Sequence, residues 1–68
     1  MNEDNLNMEI RKFLKKVGIS SQRILENEIY EADKKGAISI GSNIDVEMTL
    51  TIKSLNFQKT ISGQIKVE

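Results

Sequence analysis

Residues 15–22 read KKVGISSQ, and the roles of Gly18 and Ser20 in that stretch set the expected fold. A glycine just past a helical run supplies the left-handed residue that ends a helix, and the next apolar residue packs back on the last turn. Gly18 followed by Ile19, within reach of Leu14, has that form. Ser20 is a favourable N-cap. Ile19 before it and Ile24 after it have the spacing of a hydrophobic staple. The stretch therefore predicts a stop followed at once by a start: one helix over about 4–17 and a second over about 20–35.

The flanking patterns agree with two helical segments. Leu6, Ile10, Phe13, Leu14 and Val17 recur at helical spacing on one face. Glu3, Asp4 and Glu9 lie toward the start of that run, and Arg11, Lys12, Lys15 and Lys16 toward its end. Both placements complement the helix macrodipole. In the second segment Leu25, Ile29 and Ala32, with Ile24 beside them, form the apolar face. Glu31 and Lys35 are spaced as a favourable ion pair. Gly36 is the expected stop, with Ala37 placed to contact Ala32.

Beyond Ala37 the period changes from helical to two. Ile38 and Ile40 suggest a short extended piece, and Gly41, Ser42 and Asn43 a turn. Ile44, Val46, Met48, Leu50 and Ile52 then alternate with polar residues, which marks a half-buried strand. A second alternating run places Phe57, Lys59, Ile61, Gly63, Ile65 and Val67 on one face. Pairing Ile52 with Phe57 sets Met48 against Ile61, Val46 against Gly63 and Ile44 against Ile65, so both apolar sets share a face. Lys59, opposite Leu50, is the one charge there.

The expected architecture is α+β and a single domain over residues 1–68. A two-helix hairpin precedes an antiparallel β-hairpin with strands at about 44–53 and 57–67. A short extra strand borders it, and the helices pack on one sheet face. The strand edges would need blocking or pairing.

Composition narrows the functions. The chain has 68 residues, 10 basic and 10 acidic, with no Cys, His, Pro or Trp. A domain this small has a stability ledger that comes out near zero, usually offset by disulfides, metal or a partner subunit. Cysteine pairing is impossible, and the common zinc ligands are missing. Self-association remains, so a homodimer is expected. Without His or Cys, catalysis would need Asp, Glu, Lys, Ser, Thr or Tyr with strongly shifted pKa values, and a small core offers few places for that. No enzymatic activity, cofactor or metal is expected. Charge balance argues against bulk electrostatic nucleic-acid binding. No apolar run approaches membrane-spanning length, and no signal-peptide pattern opens the chain, so a cytoplasmic protein without membrane contact is expected.

Two resemblances follow from these residues. The opening MNEDNLNMEIRKFLKKVGISSQ, with the later strand VEMTLTI, resembles a family of short uncharacterised bacterial proteins. That likeness spans nearly the whole chain and implies no catalytic or binding residues. The stretch KKVGISSQRILENEIYEADKKGAI resembles the paired helices of winged-helix DNA-binding domains, with the β-hairpin in the place of a wing. The resemblance implies that Ser21, Gln22, Arg23 and Asn27 would face base edges and that Arg11, Lys12, Lys15 and Lys16 would touch phosphates. Glu26, Glu28, Glu31 and Asp33 on the same helix would repel a duplex.

The remaining constellations have plainer readings. The basic run Arg11–Lys16 reads as a solvated face, or as a patch that meets the acidic Glu26–Asp33 segment across a dimer. The pairs Glu28 with Glu31 and Asp45 with Glu47 lack the spacing of a cation loop. Lys59 reads as a side chain that snorkels past the tip or guards the edge. Gly63 leaves room for a close neighbour. Met8 and Tyr30, off their helical faces, are candidates for an exposed contact. The expected function is a non-catalytic interaction or structural module, with a yet unidentified protein partner besides its own copy. The alternative is nucleic-acid binding of degenerate winged-helix type.

Overall fold

The computed structural model describes residues Met1–Glu68. It divides into two compact units, Met1–Ala37 and Ile38–Glu68. The first is one α-helix, α1 (Glu3–Lys34), of 32 residues. The second is a two-stranded antiparallel sheet, β1 (Asn43–Ile52) and β2 (Phe57–Lys66), joined through a short 3-10 turn at Lys53–Leu55.

The expected helical hairpin is not formed. Helix α1 runs through Gly18 and Ser20 without interruption. Gly18 does not adopt positive φ, whereas Gly36 and Gly41 do. The physical reason lies in the phase of the apolar residues. Leu14, Val17, Ser21 and Leu25 are spaced three, four and four apart, so the stripe passes the glycine without a shift. A glycine inside a helix costs about 1 kcal/mol relative to alanine, too little to break a helix continuous in pattern on both sides. No proline enforces a break.

Both true ends are well made. The Asn2 side chain accepts a hydrogen bond from the Asn5 backbone N–H at 3.0 Å, which satisfies one of the free donors of the first turn. Glu3 and Asp4 add negative charge at the positive end of the dipole. At the other end Gly36 is left-handed, with φ 70°. Its N–H donates to the Asp33 carbonyl at 3.0 Å, and the Ala37 N–H donates to the Ala32 carbonyl at 2.9 Å. That pair of bonds is a Schellman cap. Lys35 is the cap residue. The Glu31 carboxylate therefore pairs with Lys34, at 3.5 Å, and not with Lys35 as the spacing suggests.

Residues 38–40 form no extra strand. Ser39–Ser42 is instead a tight turn. The Ser42 N–H donates to the Ser39 carbonyl at 3.0 Å, and Gly41 supplies the positive φ, 94°, at the third position. The turn is tied to the sheet: the Gly41 N–H donates to Val67 at 2.6 Å, and the Val67 N–H donates to Ser42 at 2.9 Å.

The sheet register is the one that hydrophobic alternation demands. Ile44 pairs with Ile65, Val46 with Gly63, Met48 with Ile61, Leu50 with Lys59 and Ile52 with Phe57. The opposite face is polar and cross-linked by side chains. The Gln64 amide donates to the Asp45 carboxylate at 2.9 Å, and the Thr49 and Thr60 hydroxyls lie 3.2 Å apart. Cross-strand pairs of this kind fix register. Asn56, left-handed at φ 50°, closes the tip.

Candidate functional site

Helix α1 carries one apolar stripe along its length. Leu6, Ile10, Phe13, Leu14, Val17, Leu25, Ile29 and Ala32 lie on it, with Ile24 at one border. Its least exposed members, Val17, Ser21, Leu25, Ile29 and Ala32, advance by four, four, four and three residues. This spacing keeps them on one side of a helix. The other members remain in solvent: Phe13 is 54% exposed, Leu14 53% and Ile24 62%.

The sheet repeats the pattern. Ile44, Val46 and Ile65 are half-buried near the open end of the hairpin. Toward the tip, Met48, Leu50, Ile52, Phe57 and Ile61 are exposed on the apolar face. Lys59 is exposed among them. No residue of either unit is buried. Single exposed apolar residues are ordinary on a protein surface, but contiguous apolar patches mark interaction sites.

The residues considered for nucleic-acid contact fall into separate groups. Arg11, Lys12, Lys15, Lys16, Gln22 and Arg23 lie off the stripe, around the flanks and back of α1. Ser21 lies on the stripe itself, and Asn27 on the border opposite Gln22. All belong to one continuous helix, so the paired helices that the winged-helix resemblance implies are not formed. Met8 and Tyr30 stand on the back of α1, and both are exposed, at 64% and 59%. Ile19, 54% exposed, falls midway between them on that side. The staple expected between Ile19 and Ile24 is not formed, because α1 runs through both residues.

Depressions on the hairpin are shallow. One of about 390 Å³ at the tip is lined by Thr51, Ile52, Lys53, Asn56, Phe57 and Gln58. Another of about 360 Å³ surrounds Val46 and Gly63. No cluster of three or more carboxylates is placed to hold a metal ion. No helix is long and apolar enough to cross a membrane.

A long capped helix with an exposed apolar stripe, followed by a one-sided β-hairpin, defines a small α+β protein whose distinctive feature is surface, not cavity. Over residues 1–68 the chain matches the family described as Family of unknown function (DUF6494), and it belongs to that family. No curated protein and no solved structure matches it.

Proposed function

We propose that this protein is a non-catalytic interaction module that completes its fold by binding a second copy of itself. One observation carries the reading: large apolar side chains line α1 and the sheet, yet none is buried. Covering a Leu, Ile or Phe side chain is worth about 1.5–3 kcal/mol. A chain of this size has little other stabilisation. It holds no disulfide and no cysteine to make one.

The chemistry on the surface supports a binding role over a catalytic one. Side chains that titrate near neutrality by default are absent, since the chain has no His. The depressions on the hairpin are open to solvent, and neither hydroxyl that lines them, Thr51 or Ser62, is hydrogen-bonded to a carboxylate or amine that could activate it.

The test is the mass in solution. Light scattering at micromolar concentration is expected to give twice the monomer mass of 7.7 kDa. Leu14→Glu, which places a charge on the stripe, is expected to shift the mass toward the monomer. A wild-type protein that scatters as a folded monomer would overturn the reading.

A further inference from the structure

We propose that two copies pair through α1 in antiparallel orientation, with the two-fold axis near Gln22. The proposal rests on the self-association reading above and specifies its surface and direction. Charges beside the apolar stripe set the direction. Arg11 and Asp33 border the stripe on one side, and Glu9, Lys16, Glu31 and Lys34 on the other. When helices pair in antiparallel fashion about a two-fold axis, each side of one meets the same side of the other. Arg11 then lies near Asp33 of the second copy, and Lys16 near Glu31 of the second copy. In a parallel pair opposite sides meet. Arg11 would then face Lys16 as well as Glu9 of the second copy, and Asp33 would face Glu31 as well as Lys34 of the second copy. Like charges across an interface are strongly disfavoured. Only in the antiparallel form does Glu9 also meet Lys34 of the second copy, so the charge order favours that form.

Side-chain size agrees with the same register. With the axis near Gln22, Phe13 lies level with Ala32 of the second copy, and Ile24 level with Ser21 of the second copy. Large residues thus meet small ones, which lets two stripes interdigitate. Glu28, the one acid on the stripe within the paired length, lies level with Val17 and beside Lys16 of the second copy. The first turns of α1, with Leu6, extend beyond the paired length. This arrangement explains why a chain of zero net charge separates its basic block, residues 11–16, from its acidic block, residues 26–33.

The chain lacks cysteine, so introduced thiols report contacts cleanly. Phe13→Cys and Ala32→Cys variants are mixed under mild oxidation. The expected main product is the mixed disulfide, with little self-cross-linked Phe13→Cys. A second pair of variants reads charge. Arg11→Glu with Lys16→Glu is expected to weaken self-association at least about tenfold, and mixing with Glu31→Lys plus Asp33→Lys protein is expected to restore it. Helix content by circular dichroism shows that each variant still folds. Self-cross-linking of Phe13→Cys, or a charge variant that associates as tightly as wild type, overturns the antiparallel pair while leaving self-association intact. A dimer in which neither thiol cross-links places the contact on the hairpin and also overturns it. A wild-type monomer is a different outcome, because it removes the reading on which the proposal rests.

Discussion

Gly63 stands directly across the hairpin from Val46, toward the open end of the sheet's apolar face. A Cβ added at Gly63 would meet nothing within 4 Å. Glycine inside a strand weakens it, because it has more freedom to lose and no side chain to pack. Gly63→Val is therefore expected to stabilise the hairpin, by up to about 1 kcal/mol on the strand-propensity scale. Chemical denaturation followed by circular dichroism measures this. A loss of stability would mean that the gap over Gly63 is filled in the associated protein.

Gly18 offers the matching prediction for the helix. It lies inside α1 in helical conformation, and a Cβ there also meets open space. Gly18→Ala is expected to raise stability by about 1 kcal/mol and to increase helix content. If Gly18 were instead the end of one helix and the hinge to another, alanine would be strained in the left-handed conformation and stability would fall.

Gly36 should respond in the opposite sense. Its φ of 70° carries the Schellman cap of α1. Gly36→Ala is expected to cost about 1 kcal/mol, because a Cβ is disfavoured in the left-handed region. Substituting both glycines in turn gives gain at one and loss at the other, read from the same melting curves. Equal responses would contradict the single-helix structure.

The contrast between these glycines shows what the sequence disclosed and what it concealed. Gly18 and Gly36 each follow an amphipathic run and precede an apolar residue, and local pattern treats them alike. What separates them is phase. The stripe continues in step across Gly18, from Leu14 and Val17 to Ser21 and Leu25, whereas after Gly36 the helical period stops. Ser21 obscured the continuity because a polar residue occupies a stripe position. Residues 38–40 misled for a different reason. Two isoleucines two apart suggest a strand, but Gly41 at positive φ closes the Ser39–Ser42 turn. The hairpin register was fully legible, since a slip of one residue would turn every apolar side chain to the polar face. The exposure of both apolar faces was not. Alternation says which face seeks cover, and says nothing of what supplies it.

Asn56 gives a local test of the hairpin tip. It is the one non-glycine residue with positive φ, at 50°, and its N–H donates to the Lys53 carbonyl at 3.3 Å. Asparagine tolerates this conformation, and β-branched residues do not. Asn56→Gly is expected to leave stability within about 0.5 kcal/mol, while Asn56→Val costs about 1–2 kcal/mol. Denaturation midpoints for the two variants decide it, and equal tolerance of valine would mean that the tip adopts another turn.

The claim that a second copy completes the fold has a direct signature. When folding is coupled to association, the melting temperature depends on protein concentration. Thermal unfolding of the wild-type chain is measured by circular dichroism across a hundredfold range of concentration. The midpoint is expected to rise steadily with concentration. A midpoint that stays constant across that range, with full helix content at the lowest concentration, would show that the chain folds alone and would contradict the account.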